Sequence, residues 1–182
     1  MTNSPLGLQR GIVRLEPYNP EWRELFDVEK SALQKVLGDK FIVAEHIGST
    51  AIPDLKAKPI LDLMLAVPDL NDWEWLKEPL AKLGYEFRRD FRSEQGHILF
   101  VKGSEENRTH YLKITELNSD FWTEHILFRD YLVSNPQYRE EYQDLKEKLF
   151  DAHADNREPY TKGKEEFVRK ILALAGFKGK IL

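Results

Sequence analysis

From Trp22 to Leu37 apolar residues recur at helical spacing: Trp22, Leu25, Phe26, Leu33, Val36 and Leu37 fall on one face. Asn19 stands where a cap belongs, Pro20 takes the first helical position, and Gly38 ends the pattern. Upstream, Ile12-Val13-Arg14-Leu15 predicts a short edge strand. Phe41 to Ile47 reads as a strand that runs straight into Gly48-Ser49-Thr50, and Pro53 marks a turn. Ile60 to Val67 is apolar at nearly every position, which predicts a strand covered on both faces. Asn71 begins a helical pattern through Trp73, Leu76, Leu80 and Leu83, in which Pro79 must introduce a kink or start a second short helix.

A meander follows, with strands at Tyr85–Asp90, His97–Val101 and Thr109–Thr115 and a turn from Gly103 to Asn107. After Asn118 the period changes to helical. Ser119 caps a helix carrying Trp122, Phe128, Tyr131 and Leu132 on its apolar face. Pro136 opens another with Tyr138, Tyr142, Leu145 and Leu149. A last helix carries Phe167, Ile171, Leu172 and Leu174 before Gly176. Strands first and helices last predict an α+β fold: one domain over 1–182, with a sheet-containing core (1–118) and packed helices (119–182) as a C-terminal helical layer.

Composition narrows this picture. Of the 182 residues 41% are hydrophobic and 12% aromatic, enough for a substantial core. The chain has no cysteine, which excludes disulfides and thiolate metal sites and points to a reducing compartment. The opening MTNSPLGLQR lacks the apolar run of a signal peptide, and no apolar stretch is long enough to span a bilayer. A cytoplasmic protein without membrane attachment is expected. The net charge of −4 supplies no global field for duplex nucleic acid. A local basic bias is nevertheless visible in the loops and meander, at Lys56, Lys58, Arg88, Arg89, Arg92, Lys102, Arg108 and Lys113, while acids concentrate in the C-terminal helices. A basic cleft in an acidic protein suits a small phosphorylated ligand.

Asp62 is the residue with most to explain, because it interrupts the apolar run Ile60–Val67. An ionised carboxylate buried there costs several kcal/mol unless a cation compensates it, on the order given for buried charges. It is either half of a structural ion pair or a metal-binding or general-base carboxylate. Gly48-Ser49-Thr50 directly after a strand brings a backbone that can approach a ligand closely, and hydroxyls that can hold phosphate oxygens. If the two strands are neighbours, the loop and Asp62 face one cleft. Glu45 and His46 are adjacent, so only one of them can face it. Arg108 and His110 share a strand face. Arg129, within a helix, reads as a structural partner for an acid, and His97, His125 and His153 fit no metal-ligand spacing.

The stretch from Glu45 through Gly48-Ser49-Thr50, Pro53, Lys58-Pro59 and Asp62-Leu63 resembles the signature of the GrpB (UPF0157) family of the nucleotidyltransferase superfamily, EHIGST-VPGL-AKPIIDI. Pro17-Tyr18-Asn19-Pro20-Glu21-Trp22, Arg108-Thr109-His110-Tyr111-Leu112 and Phe128-Arg129-Asp130-Tyr131-Leu132 with Asn135-Pro136 are similar to further family segments, so the resemblance covers most of the chain. It implies a nucleotidyltransferase-like mixed β-sheet with flanking helices, a Gly-Ser loop after one strand and a catalytic acid on the next. It further implies transfer of a nucleotidyl group from a nucleoside triphosphate. Asp62 and Ser49 would be catalytic, and Asp62 the ligand of Mg²⁺ or Mn²⁺. Gly48, Ser49, Thr50, Lys58, Arg108 and Lys113 would hold phosphate, with Glu45, His46 and His110 as further candidates.

The chain departs from the superfamily pattern at two places. Met64 stands where a second carboxylate would share the metal, and Lys113 where the later strand often has a second histidine. A thioether is no ligand for Mg²⁺, and an ammonium ligates no metal. Two functions therefore follow from the sequence: a nucleotidyltransferase, or a catalytically inactive nucleotide- or phosphate-ligand-binding module of the same fold.

Overall fold

The computed structural model describes residues 4–88 and 96–181. Helix α1 (Glu21–Leu37) begins where Asn19 Oδ1 accepts the Glu21 amide at 2.9 Å, and ends at Gly38 with φ 55°. Its buried residues Trp22, Phe26 and Leu33 pack on one face of a mixed sheet. Among the described residues the strands are β1 (Ala44–Ile47), β2 (Leu61–Val67), β3 (Tyr85–Phe87), β4 (Ile98–Gly103) and β5 (Arg108–Glu116), in the order β1-β2-β5-β4-β3. Only β2 and β5 run parallel; the remaining pairs are antiparallel. The crossover from β2 leads to the far edge at β3, and the meander β3-β4-β5 returns to set β5, the central strand, beside β2.

Strand alternation divides the sheet into two chemistries. Leu61, Leu63, Leu65 and Val67 of β2, with Leu112 and Ile114 of β5, face α1 and form the larger core. Met64 and Ala66 face the other way with Ile47, and are covered by Phe121 and Trp122 of α3 (Asp120–Ser134). Helices α4 (Pro136–His153), α5 (Arg157–Lys162) and α6 (Glu165–Leu174) complete this second layer. Leu132, Tyr142, Phe167 and Ile171 enclose Ile52 and Leu55 from the loop after β1. No helix among the described residues is long and apolar enough to cross a membrane.

Several elements differ from the sequence expectation. Residues Ile12–Leu15 form no strand; Val13 instead donates its amide to Ala154 O at 2.8 Å, and isolated bridges join Leu8 to Arg108 and Glu16 to Ala57. Asn71 starts no helix; it lies in a turn in which its amide bonds Asp69 Oδ1 at 2.8 Å. The helix α2 (Lys77–Lys82) begins later, after a 3₁₀ turn at Glu74–Leu76. Pro79 thus falls in its first turn, where a missing N–H has no partner to lose. The expected strand Tyr85–Asp90 runs partly outside the described residues. Helix α5 was not expected at all: at six residues it is too short for an apolar period to show in the sequence.

Candidate active site

The cleft forms where β1 ends against β2. Ile47 lies opposite Asp62 in the antiparallel register, so Gly48 passes directly over the carboxylate. Its φ of 70° lies in the region that glycine tolerates. A Cβ at Gly48 would stand 2.7 Å from Asp62 Oδ2 and 3.0 Å from Asp62 Cβ. Glycine here is therefore a requirement of both backbone angle and close approach. The chain then turns through Ser49–Ala51 as a single 3₁₀ turn. Thr50 points inward: its hydroxyl meets His46 Nε2 at 2.9 Å and Ile60 O at 3.5 Å. The Ser49 hydroxyl is bonded to that of Tyr142, a phenol pushed up to about 12 by burial.

Asp62 is the one half-buried position of an otherwise buried strand. It opens into a cavity of about 140 Å³ between the Gly48–Thr50 turn and helices α3 to α5. Asp62 is the sole carboxylate among the described lining residues, which also include Lys58, Lys146, Arg157 and Lys164. These cations come from separate segments, and each lies against a ring. Lys58 Nζ and Lys164 Nζ stand 5.6 and 4.8 Å from the Tyr160 ring centre, Lys146 Nζ 5.0 Å from Tyr142, and the Arg157 guanidinium 5.1 Å from Tyr111. Arg157 also donates to the Tyr111 hydroxyl at 2.6 Å, and Lys146 to Lys56 O.

Crowding these cations out of water disfavours their charged forms. Burial, then Arg157 and Lys164, hold Lys58 well below an ordinary lysine, with Asp62 pulling the other way. Burial brings Lys164 down to about 8, again against Asp62. Lys146 falls to about 7, through burial and then Lys164. Asp62 makes no direct salt bridge with any described residue; its influence on Lys58 and Lys164 acts across the cavity.

The structure gathers Gly48, Ser49, Thr50, Lys58 and Asp62 around this cavity. Lys113 lies on the same sheet face, one step along at the register partner of Met64, and its charge reaches both Lys58 and Lys164. Its Nζ is 3.4 Å from His125 Nε2, whose ring donates through Nδ1 to Phe121 O at 2.9 Å. Burial, then Lys113, keeps His125 well below its ordinary value, so this imidazole accepts from the ammonium.

Other expected residues are placed elsewhere. Arg108 and His110 lie on the α1 face of β5, because alternation from Tyr111 sends them there. Arg108 contacts Glu105 at 3.4 Å and is buried on its own side of the sheet. His110 is brought down to about 4 by burial, so its 4.0 Å approach to Glu29 is no salt bridge at neutral pH. His46 stacks on Phe26 at 4.9 Å, also on the α1 face. Glu45 does take the cleft side, but its carboxylate is bound by Arg129 at 2.7 Å, and Arg129 further donates to His46 O at 2.8 Å. Much of the expected basic set is likewise paired away from the cleft: Lys56 with Glu147 at 2.7 Å, Arg88 with Glu105 at 2.8 Å and Lys102 with Glu29 at 3.0 Å. Arg89 and Arg92 lie outside the described residues.

The cleft's cations come chiefly from the C-terminal helices, which sequence reasoning had assigned to packing. One signal was available: Lys146 lies four residues after Tyr142, so it interrupts the buried stripe of α4. The donor set fits a divalent cation poorly. Mg²⁺ asks for oxygen ligands in near-octahedral array, whereas the cleft offers one carboxylate among four basic side chains. No three His, Asp or Glu converge as a metal cluster among the described residues. A more open hollow of about 450 Å³ lies by the N-terminal segment, but its charged residues Arg14 and Glu16 are paired with each other at 2.7 Å.

Comparison with known proteins agrees with this architecture. The sequence model described as GrpB protein matches residues 12–174. The chain is 38% identical over 171 residues to the glutamate-rich protein GrpB of Alkalihalophilus pseudofirmus, covering 92% of this chain and 98% of that one. It is 36% identical over 152 residues to the UPF0157 protein YqkA of Bacillus subtilis, covering 84% of this chain but 44% of the longer relative. Its fold is similar to the crystal structure of the conserved protein GrpB from Enterococcus faecalis, with a TM-score of 0.80 and 34% identity over 89% of this chain and 96% of that one. With the Gly48–Asp62 cleft built on that shared fold, the chain belongs to the GrpB (UPF0157) family.

Proposed function

We propose that this protein is a nucleotidyltransferase-like member of its family whose cleft binds the phosphates of a nucleoside triphosphate or another small phosphorylated ligand. The observation that carries this reading is the convergence of Lys58, Lys146, Arg157 and Lys164 on a single carboxylate beside the Gly48–Thr50 turn. Phosphoryl-type chemistry needs mainly positioning and charge neutralisation. The basic side chains supply the second, and rings and hydrogen bonds fix them for the first. In a transfer reaction Asp62 would accept the proton of an attacking hydroxyl, and Ser49 would bond a phosphate oxygen. The reading includes a cytoplasmic location, which the cysteine-free composition favours.

A second reading, a binding module without catalysis, is favoured by one observation: Asp62 has no carboxylate partner in the cleft. One experiment separates the two. Each of the four common nucleoside triphosphates is incubated with the protein, with and without Mg²⁺ or Mn²⁺; melting temperature and pyrophosphate release are followed. A raised melting temperature with pyrophosphate release supports the transferase, and the same rise without release supports the binding module. At a hundredfold excess over Kd, ligand binding stabilises by about 2.7 kcal/mol. No rise with any nucleotide, and none with inorganic pyrophosphate, rejects both.

A further inference from the structure

We propose that the basic side chains Lys58, Lys146, Arg157 and Lys164 hold the diphosphate end of the ligand directly, in the role a divalent cation would otherwise fill, and that Mg²⁺ therefore opposes binding. This inference rests on the reading that the cleft takes a phosphorylated ligand, and adds which form of it is bound.

Three features carry it. The first is charge. Among the described residues Lys58, Lys146, Arg157 and Lys164 make no salt bridge, and none of the four is exposed. Unpaired cations gathered around one carboxylate leave a surplus of positive charge, which an anion neutralises and Mg²⁺ would increase. The second is placement. The cations are already fixed on the faces of Tyr111, Tyr142 and Tyr160, so little side-chain freedom is lost when an anion arrives. Burial and mutual repulsion depress Lys58, Lys146 and Lys164, a strain that a bound anion relieves. The third is size. A cavity of about 140 Å³ is smaller than the roughly 300 Å³ at which pockets begin to enclose drug-sized ligands. It admits a diphosphate end and leaves a nucleoside outside.

The test is calorimetric titration of the full chain at pH 7 with inorganic pyrophosphate, ADP and ATP, each in EDTA and again in excess Mg²⁺. Binding in EDTA that weakens at least tenfold in Mg²⁺ is the expected result. Similar affinities for pyrophosphate and ADP would assign the contacts to the diphosphate; tight binding of ADP with none of pyrophosphate would overturn that assignment. Binding that requires Mg²⁺, or tightens with it, overturns the inference while leaving the phosphate-binding reading intact. Absence of binding under every condition rejects both. Asp62→Asn separates the roles further. Removing the lone negative charge tightens pyrophosphate binding if the ammonium groups hold it, and abolishes binding if Asp62 holds a bridging metal. Lys164→Met, checked by its melting temperature, should weaken pyrophosphate binding at least tenfold in EDTA; unchanged affinity in a folded Lys164→Met protein counts against the inference.

Discussion

Gly48 joins backbone conformation to site chemistry, since its positive φ and its contact with Asp62 exclude any side chain. Gly48→Ala should lose about 1–3 kcal/mol of stability in chemical denaturation, the range for a residue forced into a sparsely allowed conformation. It should also weaken phosphate binding, because the Gly48–Thr50 turn that lines the cavity must shift. An unchanged unfolding midpoint would show that the loop relaxes freely. The histidines on the α1 face set a different property. His46 is held down to about 3 and His110 to about 4, chiefly by burial, so the fold favours their neutral forms. Each folded value lies below the unfolded value near 6.5, so the unfolded chain binds more protons between them. Their contribution is complete above about pH 6.5 and is lost as pH falls toward 3 or 4, with a limiting slope of ~1.4 kcal/mol per pH unit for each histidine. Denaturation measured from pH 7 to 4 should show this decline, and His46→Gln should flatten it; parallel curves would contradict the assignment.

Among the elements, α3 links sheet and site. Ser119 Oγ accepts the Trp122 amide at 3.2 Å and meets Thr115 Oγ1 of β5 at 3.0 Å, so the cap also joins helix to strand. Ser119→Ala should cost ~1 kcal/mol, the usual loss for a helix cap, and urea denaturation measures it directly. Thr115→Val keeps the volume but also removes the bond that Thr115 Oγ1 donates to Gly96 O at 2.8 Å, so it should cost at least as much as Ser119→Ala. The strand β2 was legible in the sequence because its apolar run is covered by cores on both faces. The helix α5 was not, because its role is to present Arg157 and Tyr160 to the cleft rather than to repeat an apolar stripe. The turn Gly48–Thr50 and Asp62 were legible for a third reason: a glycine beside hydroxyls and an acid inside an apolar strand both conflict with ordinary packing. No such conflict marked Lys164 or Arg157, which look like any solvated cations on a charged helix.

On the scale of the whole molecule, the cleft needs both layers. Asp62 and Ser49 come from the sheet side, and Lys146, Arg157 and Lys164 from the helical side. Phe121 and Trp122 pack on Ile47, Met64 and Ala66, which ties the layers together through apolar surface. Limited proteolysis should therefore release no stable fragment beginning near Ser119, since its apolar face would be exposed. An independently folded C-terminal fragment, seen as a protected band with native circular dichroism, would refute the single domain expected from the sequence.

The local pattern was sufficient for the α+β class, for most helices and strands, and for the pairing of a Gly-Ser turn with Asp62. Those features depend on periodicity and on single residues out of keeping with their neighbours, both of which are written along the chain. Which charged residues meet was decided only by tertiary structure. Strand parity sent Arg108, His110 and His46 to the α1 face. The packing of α4 and α5 brought Lys146 and Arg157 to an acid far away in sequence. A charge acts through distance in space and through the dielectric around it, and both come into being only when the helices close over the sheet.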